Sequence, residues 1–171
     1  VMMVVMLGCV AQVQAKLHTE AVEYRHGEAV LEGYLAYDEH LERPVPGVLV
    51  VHEWKGLNEY AKGRARQLAE LGYVAFAIDM YGKGIVAADH AEAGRLSGMY
   101  RSDRRLMRDR ARAGFEVLTA QPLVDKARVA AIGYCFGGTT VLELARDGAD
   151  LAAVVSFHGS LSTPRPEHAR Q

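Results

Sequence analysis

The chain has 171 residues, half of them hydrophobic, and its 20 Lys and Arg residues nearly balance its 21 Asp and Glu residues. This length suits one globular domain and is short for two. The formal net charge of -1 argues against a nucleic-acid-binding protein, which would carry a basic patch or a high isoelectric point. The densest basic stretch, residues 101–112, also contains Asp103 and Asp109, and we interpret it as a solvated helix face.

The first 15 residues are apolar and end in Val13-Gln14-Ala15, just before Lys16. This pattern resembles the hydrophobic region and the cleavage site of a secretory signal peptide. We therefore predict a signal-peptide remnant at residues 1–15 and a secreted or periplasmic protein. The alternative is a cytoplasmic protein, because an apolar first strand would have a similar composition. The segment is too short for a transmembrane helix, and we predict no membrane span.

Strand and helix patterns alternate along residues 16–171, which we expect to form a single domain. The predicted strands are residues 28–37, 48–52, 73–78, 128–132 and 152–157. The predicted helices are residues 58–71, 87–94, a longer one from Ser102 or Asp103 to Ala120, and 137–147. Strands separated by helices of about ten residues or more indicate parallel crossovers. The pattern therefore predicts an α/β fold with a mostly parallel sheet and helices on both faces.

Polar or reactive residues follow four of the predicted strands. They are His52 with Glu53, then Asp79, Cys135 and His158. Functional side chains of open α/β sheets gather at the carboxyl ends of the strands. These residues are therefore the first candidates for a site.

Cys135 lies in the run Gly133-Tyr134-Cys135-Phe136-Gly137, between a predicted strand and a predicted helix. This is the nucleophile-elbow pattern with cysteine in place of serine. A Cβ two residues before or after the nucleophile would clash in so tight a turn, which explains both glycines. The helix dipole would favour a thiolate, and the Phe136 N–H would face a developing oxyanion. We predict that Cys135 is a nucleophile, the alternative being a buried, unreactive cysteine.

The loop that starts at His52-Glu53 follows a buried strand and precedes a helix. In folds with such an elbow, this loop supplies the second oxyanion N–H. A glutamate beside a cysteine can also accept the thiol proton. The alternative is that the polar pair braces the loop through hydrogen bonds. The spacing of His52, Glu53 and His158 matches no known metal motif, so we predict no metal site.

Five segments of the sequence together resemble the dienelactone hydrolase family of α/β hydrolases. They are residues 52–58 (HEWKGLN), 71–75 (LGYVA), 79–84 (DMYGKG), 133–138 (GYCFGG) and 156–159 (SFHG). They occur in the order found in the family and span roughly residues 20–165. The resemblance implies an α/β-hydrolase fold and a carboxylic ester hydrolase. Such an enzyme hydrolyses small esters or lactones through an acyl-enzyme and needs no cofactor.

The resemblance also implies roles for individual residues. Cys135 matches the family nucleophile, and Glu53 matches a glutamate that contacts the resting thiol and helps to generate the thiolate. The backbone N–H groups of Trp54 and Phe136 match the oxyanion hole.

Three further residues are expected to bind substrate: Tyr81, Lys83 and His158. In the namesake enzymes an arginine near the position of Lys83 helps to hold the substrate carboxylate. Lysine offers a point charge in place of a bidentate fork. The resemblance therefore implies a small ester or lactone, with an anionic substrate as one option, and does not specify dienelactone.

The acid and the histidine of the family follow the nucleophile in the chain, and no residue here matches them. Asp147 and Asp150 fall on or just after the helix behind the elbow. We therefore expect these partners beyond Gln171, which would make the domain C-terminally incomplete and leave its activity alone in question. One alternative is a non-catalytic binding or scaffold protein that retains the front half of the fold. Another is that His52 or His158 replaces the missing base.

The sequence does not determine the oligomeric state. An incomplete sheet would, however, expose a strand edge and an apolar surface. We therefore expect the isolated chain to aggregate or to pair through that edge.

Overall fold

The computed structural model of this chain describes residues 15–164 and 166–168. The predicted signal-peptide remnant lies outside the described residues, apart from Ala15, so secretion stays a prediction. The strands are β1 (Leu17–His26), β2 (Ala29–Asp38), β3 (Val45–Val51), β4 (Val74–Ile78), β5 (Val124–Tyr134) and β6 (Ala153–Phe157). The helices are α1 (Glu59–Glu70), α2 (His90–Ser102), α3 (Arg104–Thr119) and α4 (Phe136–Arg146), and a short 3₁₀ turn covers Pro166–His168.

All six strands belong to one sheet with the order β1-β2-β4-β3-β5-β6. Strands β3, β4, β5 and β6 are parallel to one another, whereas β1 and β2 are antiparallel at one edge. This arrangement confirms the predicted α/β fold with a mostly parallel sheet. Strand β1 was not predicted, because its polar sequence LHTEAVEYRH lacks the continuous apolar run of the buried strands. It forms a hairpin with β2.

The helices cover both faces of the sheet, as predicted. Helix α1 packs Ala61, Ala65 and Ala69 against the sheet, at the four-residue spacing that places side chains on one helix face. The other face carries the larger core, in which α3 and α4 bury Met107 and Leu144. Among the described helices, none is both long and apolar enough to span a membrane.

Helix α2 is longer than the sequence pattern predicts. The prediction ended at Gly94, but the helix continues to Ser102 and buries Leu96 and Tyr100. A glycine inside a helix costs about 1 kcal/mol relative to alanine, and tertiary packing outweighs that cost here. Asp103 then caps α3, because its carboxylate accepts the Leu106 N–H at 3.0 Å.

The interpretation of residues 101–112 as a solvated helix face is wrong for two of its arginines. Arg108 is buried and donates to the Glu143 carboxylate on α4 at 2.6 and 2.9 Å. Arg110 is also buried and donates to the Met80 carbonyl at 3.1 Å. The interpretation failed because the sequence of residues 101–112 does not show that some of its arginines have partners on other elements of the fold.

Strand β6 pairs with β5 alone in the part of the chain that the structure describes. Val155 and Phe157 are 42% and 44% exposed on one of its faces. Helix α4 covers the opposite face, while α1 lies mainly over β2, β3 and β4. The strand sequence AVVSF carries no charge that would protect an open edge.

We expect the purified chain to elute from a size-exclusion column as a dimer or a larger species, because the β6 edge offers unpaired backbone groups beside apolar side chains. Val155→Lys should shift elution toward the monomer, since a charge on an exposed edge opposes pairing. Leu71→Lys is the matched control, because Leu71 is 73% exposed at the end of α1, away from this edge. A compact wild-type monomer at all concentrations would contradict the prediction.

Candidate active site

Cys135 adopts a backbone conformation that side-chain-bearing residues rarely take. Its φ is 54° and its ψ is -111°, at the junction of β5 and α4. Such strain persists only where surrounding structure holds it, and it concentrates at functional sites. The Cys135 N–H donates to the Phe157 carbonyl at 2.9 Å, which ties the turn to the end of β6.

The two glycines that flank Cys135 are required for steric reasons. A Cβ at Gly133 would overlap the carbonyl group of Gly137. A Cβ at Gly137 would overlap the Val51 carbonyl oxygen and would lie 2.6 Å from that of His52. In both cases the obstacle is backbone, which cannot rotate away. The steric reason inferred from the sequence is therefore present in the structure.

Helix α4 begins directly behind Cys135, and its first N–H groups have no acceptor within the helix. The Thr139 N–H makes the first intrahelical bond, to the Cys135 carbonyl at 3.3 Å. The three N–H groups before it have no intrahelical acceptor by helix geometry, and no side chain of Cys135 caps them. These donors and the helix dipole favour negative charge at this end. The Phe136 N–H is one of them, while its ring is fully buried.

The loop after β3 is anchored through its backbone. The Tyr81 hydroxyl donates to the Trp54 carbonyl at 2.9 Å, and the Gly56 N–H donates to the Glu53 carbonyl at 3.3 Å. The Trp54 ring stacks on His90, the first residue of α2, with a centroid separation of 5.3 Å. The loop therefore holds Glu53 and Trp54 in a defined position at the carboxyl end of the sheet.

Glu53 and His158 approach each other at this edge. The distance between Glu53 Oε1 and His158 Nε2 is 3.8 Å, and both side chains are partly or largely exposed. His158 has a φ of 45° and directly follows Phe157, whose carbonyl accepts the Cys135 N–H. The structure thus brings three of the predicted site residues to one place.

Lys83 and Tyr81, predicted to bind substrate, have other partners. The Lys83 ammonium lies 2.8 Å from Glu23 and 3.1 Å from Glu32, on β1 and β2. The hydrogen bonds that Lys83 donates to Glu23 and Glu32, together with the two carboxylate charges, raise the pKa of Lys83. Tyr81 is buried against Phe136, and burial raises the pKa of its phenol. In this arrangement, Lys83 is neutralised and Tyr81 supports the loop.

Sequence reasoning gave no role to Asp79 beyond its place at a strand end. Its buried carboxylate accepts the N–H groups of Tyr81 at 2.8 Å, Gly82 at 3.0 Å and Glu32 at 3.3 Å. Asp79 therefore organises the turn after β4. A single aspartate directly after a buried strand is the only feature of the sequence that indicates this role, and the sequence cannot show which N–H groups the carboxylate binds.

His52 is fully buried, and both of its ring nitrogens are bonded to backbone groups. This geometry disfavours His52 as a base for Cys135 and supports the loop-brace alternative.

Asp147 ends α4, about 18 Å along the helix axis from Cys135, and binds Arg112 at 2.7 Å. It is therefore not the acid partner. Over the described ranges, no group of three or more His, Cys, Asp or Glu residues is arranged to hold a metal ion.

A sequence profile of the dienelactone hydrolase family matches residues 31–171, which include the elbow and the loop after β3. The chain belongs to the dienelactone hydrolase family. Carboxymethylenebutenolidase of Pseudomonas sp. (strain P51) is a relative that is 34% identical over 142 residues. That alignment covers 77% of this chain and 58% of the relative.

Solved structures of dienelactone hydrolase-like proteins share the fold. A dienelactone hydrolase-like promiscuous phosphotriesterase from metagenomic libraries is 45% identical, with a TM-score of 0.85, over 91% of this chain and 65% of that protein. The structure titled m3DLH is 43% identical, also with a TM-score of 0.85, over 90% of this chain and 65% of that protein. This member of the dienelactone hydrolase family thus spans roughly half to two thirds of the length of these relatives.

Proposed function

We propose that this chain carries the nucleophile of a carboxylic ester hydrolase that acts on small esters or lactones through an acyl-cysteine at Cys135. The observation that carries the proposal is the strained Cys135 backbone at the head of α4, between two glycines that no larger residue can replace. A protein has no packing reason to hold an ordinary buried cysteine in this conformation.

The proposed acylation starts with loss of the Cys135 thiol proton, for which the Glu53 carboxylate, 3.8 Å from His158, is the proposed acceptor. The thiolate attacks the substrate carbonyl carbon and forms a tetrahedral intermediate. The N–H groups of Phe136 and Trp54 stabilise its oxyanion. The C–O bond then breaks, the alcohol leaves with a proton, and a thioester remains on Cys135. Water hydrolyses this thioester to the acid and regenerates the thiol.

The proposal assigns the two halves of the reaction differently to this chain. Acylation by an ester with a good leaving group needs only the thiolate and the oxyanion donors. Hydrolysis of the thioester needs a base to activate water, and among the described residues the candidates beside the elbow are limited to the partly exposed Glu53 and His158, which lie 3.8 Å apart. We therefore expect the acyl-enzyme to accumulate, with slow or absent turnover.

The substrate class rests on the family and on charge. One relative is named as a carboxymethylenebutenolidase and another as a promiscuous phosphotriesterase, so esters of different acids are candidate substrates for this chain. Because two glutamates neutralise Lys83, we propose that an anionic group on the substrate is not required. Small uncharged esters are the first substrates to test.

The test is covalent labelling of Cys135 with p-nitrophenyl acetate, followed by intact mass and peptide mapping. We expect a stoichiometric burst of p-nitrophenol, one acetyl group on Cys135, and alkylation by iodoacetamide faster than that of a free thiol at pH 7. Cys135→Ala should lose the burst, whereas Cys9→Ser, at the other cysteine of the chain, should retain it. Slow labelling of Cys135 would instead favour a non-catalytic binding or scaffold protein.

A further inference from the structure

His52 occupies a central position between the nucleophile helix and the loop that precedes α1. It directly follows β3 and has no exposed surface. Its ring lies 5.0 Å from that of Tyr81 and 6.0 Å from that of Phe136, measured between centroids. A buried imidazole needs partners for both nitrogens, and the structure supplies them from the backbone.

The partners of His52 determine its tautomer. The Met80 N–H donates to Nε2 at 3.2 Å, so Nε2 carries no proton. Nδ1 therefore carries the proton and donates it to the Glu53 carbonyl at 2.5 Å. Burial lowers the pKa of His52, although the bond to the Glu53 carbonyl and the Asp79 charge act in the opposite direction. Because Nε2 accepts a hydrogen bond, the ring is neutral. One neutral ring thus joins the ends of β3 and β4.

The carbonyl that His52 holds belongs to a particular peptide group. The Glu53 C=O and the Trp54 N–H are parts of the same planar unit, and in a trans peptide they point in opposite directions. A donor that fixes the Glu53 oxygen therefore also fixes the direction of the Trp54 N–H. The Tyr81 hydroxyl holds the other side of Trp54 through its carbonyl. The proposed second oxyanion donor is consequently set by two buried side chains, with a longer bond at 3.3 Å from the Gly56 N–H to the same Glu53 carbonyl.

We propose that His52 is a positioning residue that orients the Trp54 N–H toward the oxyanion of the substrate bound at Cys135. This inference rests on the proposed function. His52 does not touch the reacting atoms, and its own carbonyl lies against Gly137, where a Cβ would come within 2.6 Å of it. It couples the loop to the first turn of α4, so that both oxyanion donors keep their relative position.

Two reactions of Cys135 distinguish an effect of His52 on the oxyanion donor from an effect on the thiol itself. Acylation by p-nitrophenyl acetate passes through an oxyanion, whereas alkylation by iodoacetamide does not. We expect His52→Phe, which keeps a flat ring without nitrogens, to lower the acylation rate by about 100-fold, as for loss of one oxyanion donor. The alkylation rate should stay unchanged. His52→Gln should restore most of the acylation rate, because an amide offers one donor and one acceptor.

Each outcome of this experiment supports or overturns the inference. An unchanged acylation-to-alkylation ratio in His52→Phe overturns the positioning role while leaving the proposed function intact. A parallel fall of both rates without rescue by His52→Gln overturns it too, because His52 would then act on the thiol. A wild type that is not acylated at Cys135 removes the proposed function, and the inference falls with it.

Folding of the variants is monitored by thermal unfolding, and His52→Met replaces His52→Phe if the latter does not fold. A wild-type measurement needs no variant at all. Long-range ¹H–¹⁵N spectra of the histidines should show His52 neutral and protonated on Nδ1 at pH 7. A ring protonated on Nε2, or an imidazolium, would contradict the hydrogen bonds on which the inference depends.

Discussion

Gly137→Ala is expected to destabilise the fold by about 3 kcal/mol or more, because its methyl group would overlap backbone atoms. The obstacles are the carbonyl oxygens of Val51 and His52, at the end of β3. Strand β3 pairs with both β4 and β5, so it cannot retreat without breaking the centre of the sheet. Urea unfolding followed by the fluorescence of Trp54, the single tryptophan, measures the loss.

Gly98→Ala is the matched control for this prediction. Gly98 lies inside α2, and a Cβ there would meet nothing within 4 Å. The same chemical change should therefore stabilise the chain by about 0.5–1 kcal/mol, since alanine loses less backbone entropy in a helix. Opposite signs at the two glycines would show that the effect comes from the elbow packing. Equal effects would contradict it.

Arg108→Met is expected to lower the free energy of unfolding by about 3–5 kcal/mol, the usual cost of leaving a buried charge without its main partner. Arg108 joins α3 to α4 through Glu143, whose side chain has no exposed surface. Arg146 also binds Glu143, at 2.9 Å, and should offset part of the loss. Urea unfolding at pH 7 measures the change.

The double variant Arg108→Met with Glu143→Leu is the control for the ion pair. Replacing both partners by apolar residues removes the buried charge together with its counter-charge, and such replacements are often neutral or stabilising. The double variant should therefore recover most of the stability that Arg108→Met loses. A double variant as unstable as the single one would show that α3 and α4 need the ion pair itself.

The same pair predicts an acid-dependent loss of stability. Burial alone would raise the pKa of Glu143, but hydrogen bonds from Arg108 and Arg146 and the Arg108 charge hold it below its ordinary value of 4.5. A carboxyl with a depressed folded-state pKa stabilises the fold above its unfolded pKa, and the contribution disappears as the pH falls through the folded pKa. Arg108→Met removes the charge that opposes the effect of burial, so the folded-state pKa of Glu143 should rise. The free energy of unfolding should therefore fall less steeply between about pH 5 and pH 3, the range in which carboxyl groups titrate.

The elements nearest the candidate site were the most predictable from sequence. Asn58, the first residue of the helix predicted at residues 58–71, caps α1 through its side chain. The glycines around Cys135 indicated a turn because only glycine tolerates backbone contact on both sides. Strand β1 and the length of α2 were not predictable, because an exposed edge strand and a glycine-containing helix both depend on packing partners that a local pattern does not show.

The roles of the polar residues depended on the tertiary structure. The sequence placed His52 and Asp79 at strand ends, but the backbone groups that they bind come from other segments. Lys83 looked like an anion-binding residue until β1 and β2 supplied two carboxylates to it. Hydrogen bonds between residues far apart in the chain have no local signature, so only the fold could reveal them.

The amino-acid sequence alone determined the α/β fold and the position of Cys135 in a tight strand-to-helix turn, because these follow from local periodicity and from glycines that sterics require. It indicated the family through the resemblance of five segments. The tertiary structure decided which charges are paired, that both nitrogens of His52 are bound, and that Glu53 lies near His158. These features depend on distances between separate strands and helices, which the sheet order fixes and the sequence does not state.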